Sequence, residues 1–276
     1  MRRPSNPRGW GTRIANRLFC LILLFAVSCV DHATEHRVRA NAFFRAGDYP
    51  AALKECDEGL AQHPDDVGTL ILRAKALFEL GRADDSQRDF ERAVALGQGK
   101  RGTYLGDAYL GLAIIASRRK DWSTAKVEFE KLLELDPSDV GTHTNLARVD
   151  LELGDLPGAE AHASFAANVR PQDEAVLFVL GKVDLAAGKL DDAAAAFAKI
   201  SEANPHASSA PYGLAMVAAK RGDKALCLAK LREAVALKVP NPGEIGDDPA
   251  FASLKDDPDF SSLVGDARRG GQRVDL

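Results

Sequence analysis

Cysteine is scarce in this sequence. There are four in 276 residues, and Cys20 and Cys29 belong to an N-terminal apolar segment, so only Cys56 and Cys227 remain for a folded part. No cysteines have zinc-site spacing, and no serine, histidine and aspartate arrangement or activated-nucleophile motif is discernible. A catalyst is not expected, nor a resident metal or cofactor. Acidic residues are absent from the first 28 positions, which hold Arg2, Arg3, Arg8, Arg13 and Arg17. Without that stretch the formal charge of −4 becomes −9, from 31 basic and 40 acidic residues. A chain so acidic is poorly suited to gripping nucleic-acid phosphates. Apolar and polar residues do not alternate with the period of strands, which leaves the 46% of hydrophobic residues to be buried by helices.

What is present begins with an export signal. Arginines precede the apolar run Leu18 to Val27, and small residues follow it. The run is too short to span a bilayer, which takes about 20 apolar residues. Ala26, Val27, Ser28 and Cys29 resemble a bacterial lipobox, whose cysteine is lipidated and becomes the new N-terminus. Ala26 and Ser28 also suit an ordinary signal peptidase, which leaves a free thiol. The expectation is a signal peptide over 1–28, a lipidated Cys29 with a linker over 29–32, and a protein tethered in the cell envelope on the periplasmic side of the inner or outer membrane.

The rest is repetitive. Aligned on Pro64, Pro137, Pro171 and Pro205, the chain divides into blocks 33–66, 67–100, 106–139, 140–173, 174–207 and 208–241. Position 8 of each block is small: Ala40, Ala74, Ala113, Ala147, Gly181 and Ala215. Position 15 is Gly47, Gly81, Gly154, Gly188 or Gly222, with Lys120 in the third block, as a turn of positive φ favours. A second small column runs Ala52, Ser86, Ala125, Ala159, Ala193 and Cys227. A larger apolar one holds Phe90, Phe129, Phe197 and Leu231, with Cys56 and Ala163 as weaker members. A third follows at Gly59, Ala93, Leu132, Ala166, Ile200 and Ala234, so that the three columns form one helical stripe.

This order of small residue, glycine, small residue, aromatic, small residue and proline resembles the tetratricopeptide repeat. The resemblance covers about three quarters of the chain, although the family's tryptophan is absent throughout and Arg101 to Leu105 interrupt the spacing. It implies an all-α, right-handed solenoid over 33–241. In that register Cys56 and Cys227 sit five repeats apart, beyond the ~7 Å reach of a disulfide. At the C-terminal end Asp248–Pro249 and Asp257–Pro258 should each open a short helix. Phe251, Leu254, Phe260 and Leu263 would then cover the exposed end of the stack, giving capping helices over 242–267 and a disordered tail over 268–276.

Two further motifs carry little chemistry. Gly97, Gly99 and Gly102 spell G-x-G-x-x-G, but after a helix rather than a strand, which suits a joint and not a nucleotide. His32 and His36 share a helical face without an evident third ligand. The family resemblance instead places function on the first helices, which line the concave face. That face would carry Arg37, Asn41, Lys75, Arg118, Arg148 and Lys182 among Phe44, Phe78, Ile114, Phe178, Tyr212 and Met216. Such a surface suits a peptide with apolar anchors and acidic neighbours. Arg37 and Asn41 resemble the start of a carboxylate clamp, but Leu72, Asp107 and Gly111 stand where its later members belong. The expected partner is another polypeptide. Repeat lipoproteins of this form resemble the pilotins of type IV pilus secretins, and the alternative is an adaptor for envelope proteases or peptidoglycan enzymes.

Overall fold

The computed structural model describes residues 32–98 and 104–271, and among these every regular element is helical. The signal segment, Cys29, Gly99 and Gly102 lie outside the described residues. Helices come in pairs that match the blocks: α1 (His32–Arg45) with α2 (Tyr49–Gln62), α3 (Val67–Glu79) with α4 (Ala83–Gly97), α5 (Tyr104–Arg118) before α6 (Trp122–Leu135), α7 (Val140–Leu153) with α8 (Leu156–Val169), α9 (Glu174–Ala186) with α10 (Leu190–Ala203), and α11 (Ser209–Lys220) with α12 (Lys224–Ala236). The chain forms two compact units that meet in sequence at Ile115 and Ala116.

Aspartate starts most of these helices. The carboxylates of Asp48, Asp66, Asp121, Asp139, Asp155, Asp173 and Asp223 each accept the backbone N–H three residues on, satisfying a donor that a helix N-terminus otherwise leaves open. At position 15 the five glycines take φ of 76 to 77°, and Lys120 holds the same left-handed turn at φ 60°. The turn at Lys120 therefore has the same left-handed backbone as the glycine turns, at a cost in strain of about 1–2 kcal/mol.

Within each unit, size matching fixes how one repeat meets the next. Position 24 of a repeat packs on position 6 of the repeat after it. Phe90 fills the space over Gly111, and Phe197 that over Gly213. Where position 24 is small the partner is large, with Cys56 clustered beside Leu72 in the first unit and Ala163 beside Val179 in the second. Phe197 also presses on Gly181, in its own hairpin. At these four joints a large member of one position meets a small or smaller member of the other, as close packing requires.

The capping segment follows the expectation with one change of type. Pro242–Asp247 and Pro249–Leu254 are 3-10 helices, and α13 spans Pro258–Gly271. Asp248 accepts from Ala250 N–H at 2.9 Å and Asp257 from Phe260 N–H at 3.1 Å, so both Asp–Pro steps do open helical turns. Phe251, Leu254, Phe260 and Leu263 are buried in one cluster with Leu231 and Ala234 of α12. The tail proposed from residue 268 is helical as far as Gly271, where Arg268 donates to the carbonyl of Gly243 at 2.9 Å.

Candidate functional site

In the first unit two clefts open along the first helices. One, of about 480 Å³, is lined by Arg37, Asn41, Arg45, Ile71 and Lys75 among others. Its charges are largely engaged: the Arg37 guanidinium donates to both carboxylate oxygens of Asp66 at 3.1 and 3.2 Å, and Lys75 Nζ lies 3.0 Å from Asp107. Asn41 is exposed there. The other cleft, of about 220 Å³, is apolar, with Phe44, Phe78, Phe90, Leu110 and Ile114 around Gly111. Because Gly111 brings no side chain, the Phe90 ring forms the floor, and the space suits a single large apolar group.

The second unit differs in charge. A cleft of about 490 Å³ runs between α7 and α9 and the turn before α9, with Phe178 and Val179 among its apolar lining and Arg148, Arg170 and Lys182 as its bases. Asp173 is the acid in that lining, 3.9 Å from Arg170. Phe178 is half-buried, its ring 5.6 Å from that of Phe197, which fixes it as part of the scaffold as well as of the cleft. Arg148 is exposed and Lys182 half-buried.

Three of the sequence candidates fall elsewhere. Arg118 is exposed at the end of α5. The Tyr212 hydroxyl donates to Asp248 at 2.6 Å and its ring meets Phe251 edge-on, so the chain's own cap engages it; burial, and then that hydrogen bond, raise its pKa above the ordinary tyrosine value. Met216 is buried in the same cluster and offers nothing to a ligand. Its period matched the exposed face, but α11 has the cap on that side.

Sequence reading missed a column of polar contacts inside the hairpins. Position 7 faces position 23 as Arg39 on Glu55 and Arg73 on Asp89, the latter bidentate at 2.7 Å for both bonds. Position 4 faces position 23 as His36 on Glu55 and His143 on His162. These pairs are visible as Arg or His followed by a polar residue 16 or 19 positions on. His36, Glu55 and Glu58 bring possible ligand atoms within 4.8 Å of one another. Arg39 already places its guanidinium there, 2.9 Å from both Glu55 and the His36 Nδ1. Since the next hairpin repeats that arginine–acid pair, the cluster is read as an ion-pair network of the scaffold. The two thiols are inert by the same token of enclosure: burial pushes Cys56 up to about 12 and Cys227 up to about 11.

Comparison with known proteins bears on all of these surfaces. A family model described as tetratricopeptide repeat matches residues 71–140, 144–200 and 178–242, and a second of the same description matches 33–76. The Hsp70-Hsp90 organizing protein of Triticum aestivum is 32% identical over 117 residues, 42% of this chain and 19% of that protein. The chain spans only 18–19% of the length of the first such curated relatives. The crystal structure of a tetratricopeptide repeat protein from Parabacteroides merdae has a TM-score of 0.71 at 13% identity and covers 89% of this chain and 94% of that one. That of PilW, described as a widely conserved type IV pilus biogenesis factor, has a TM-score of 0.63 at 18% identity and covers 75% and 93%. At such identities the likeness is one of fold.

Proposed function

Since this chain belongs to the tetratricopeptide repeat family and is a protein-interaction scaffold of that kind, we propose that it is tethered to a membrane through Cys29 and holds an acidic peptide segment of a partner in the cleft of its second unit. The observation that carries the reading is that Arg148, Arg170 and Lys182 line one cleft with Phe178 and a single carboxylate, on a chain whose overall charge is negative. A local reversal of sign beside an apolar floor gives both an anchor and a steering field. The apolar cleft of the first unit takes a single bulky side chain.

The partner is taken to be a subunit of a pilus or secretion assembly, and the chain to act as its pilotin-like assembly factor. The fold likeness to PilW supports this, as does the lipobox-like sequence at Cys29. Two experiments test the two halves. Selection of displayed peptides against the chain should enrich sequences with acids flanking an aromatic or aliphatic residue, and these should bind Arg148→Ala/Lys182→Ala more weakly. In cells, Cys29→Ser should move the protein from the detergent phase to the aqueous phase and leave the secretin unassembled. Retention in the detergent phase would remove the tether, and normal secretin multimers in a deletion strain would remove the pilotin role.

A further inference from the structure

The second unit contains a histidine pair that the scaffold reading does not use. His143 Nδ1 lies 2.9 Å from His162 Nδ1, and His143 Nε2 lies 3.0 Å from the carbonyl oxygen of Pro137. A carbonyl oxygen only accepts, so the proton of neutral His143 sits on Nε2 and its Nδ1 accepts. His162 must then donate from its own Nδ1, which leaves His162 Nε2 bare, 3.9 Å from Asp150 Oδ2. The geometry thus assigns both tautomers. His143 is buried, stacked at 3.9 Å between centroids on Phe165 of α8.

We propose that His143 and His162 form an acid-sensitive latch that holds the first turn of α7 on α8 and opens when the pair takes up protons. The proton count gives the direction. A first added proton goes to His162 Nε2, where the hydrogen bond between the rings survives. A second has only His143 Nδ1, where it would set N–H against N–H across 2.9 Å. The folded pair therefore refuses a proton that the unfolded chain accepts. Even the first is opposed: burial pushes the His162 pKa below the ordinary histidine value, against the pull of Asp150 and with the push of His143 and Lys126. The charged groups around the pair are Asp150 on α7, Lys126 and Glu130 on α6, and Asp155 in the turn before α8. Lys126 Nζ lies 2.7 Å from Asp150 Oδ1 and offsets the charge of that buried carboxylate, which weakens its pull on the imidazoles.

The sign follows from linkage. A histidine whose folded pKa is depressed lends stability that is complete above the unfolded value near 6.5 and is lost as pH falls through the folded value. Opening matters because Val140, Gly141 and Thr144, which flank His143 on α7, line the basic cleft. The latch sets the shape of that cleft whatever occupies it, so the inference stands apart from the identity of the partner.

The test is made on the full chain without a ligand. Amide hydrogen exchange at residues 140–146, corrected for the intrinsic effect of pH, should speed up by about tenfold for each proton refused as pH falls from 7 to 5. Ring-nitrogen NMR should find His162 titrating below the ordinary histidine value. His162→Gln keeps a donor for His143 Nδ1 but cannot be protonated, and should flatten the pH dependence. His206→Gln, at an exposed histidine, should leave it intact. Titration of His162 at the ordinary histidine value, or the same pH dependence in wild type and His162→Gln, would overturn the latch.

Discussion

Phe90 and Gly111 interlock: a Cβ built on Gly111 would stand 2.3 Å from Cε2 of the Phe90 ring. Neither residue can change alone without cost, because the ring is held on a helix that is itself packed. Gly111→Ala should destabilise by about 1–3 kcal/mol through overpacking, and Phe90→Ala by about 3–5 kcal/mol through the cavity it leaves. Combining Phe90→Cys with Gly111→Leu copies the Cys56 and Leu72 match of the hairpin before and should recover more than 1 kcal/mol relative to the sum of Phe90→Cys and Gly111→Leu made singly on the wild type. Urea unfolding of the four chains checks this, and strict additivity would mean that the two positions do not share a space.

Lys120 offers the opposite case, a residue whose replacement should help. It is the non-glycine at position 15 and takes the left-handed turn at φ 60°. Lys120→Gly removes about 1–2 kcal/mol of strain and costs about 0.4–1 kcal/mol in unfolded-chain entropy, so a gain near 0.5 kcal/mol is expected. Gly154→Ala, in the equivalent turn of the next hairpin, should lose stability. Paired denaturation midpoints decide the sign.

At the C-terminal end the cap is predicted to stabilise mainly by burial. Phe251→Ala should cost about 3–5 kcal/mol, while Tyr212→Phe, which gives up only the hydrogen bond to Asp248, should cost about 0.5–1.5 kcal/mol. Comparable losses for the two would place the cap's strength in its polar contact instead.

The thiols provide a test that needs no mutation. With Cys56 and Cys227 buried and their pKa values raised to about 12 and about 11, neither should be alkylated in the native chain at pH 8. Both should be labelled in denaturant, as mass spectrometry of the peptides would report.

Much of this architecture was legible because the repeat imposes it. Small, glycine and aromatic columns at fixed offsets predicted the hairpins, their turns and the buried residues of the cap, since each follows from steric demands that recur in every block. The match between positions 24 and 6 was less plain. It lies in the anticorrelated sizes of Cys56 with Leu72 and Phe90 with Gly111, which a search for sameness passes over. The face of each first helix could be read from its period, but not what covers it: Tyr212 and Met216 fall on the expected side, and the cap or the core takes them. Likewise Arg37 reads as a groove cation until Asp66, from the next turn, is seen beside it. Tertiary partners that lie tens of residues away leave no mark in a local pattern.

The central claim is that the second-unit cleft binds an acidic, apolar-anchored peptide through Arg148 and Lys182. Its most direct test is the affinity of a selected peptide for the wild type and for Arg148→Ala/Lys182→Ala, measured by titration calorimetry beside the melting temperature of each. The account predicts at least a tenfold weaker complex, a loss of about 1.4 kcal/mol, with the melting temperature unchanged. Equal affinity for the two chains would contradict it.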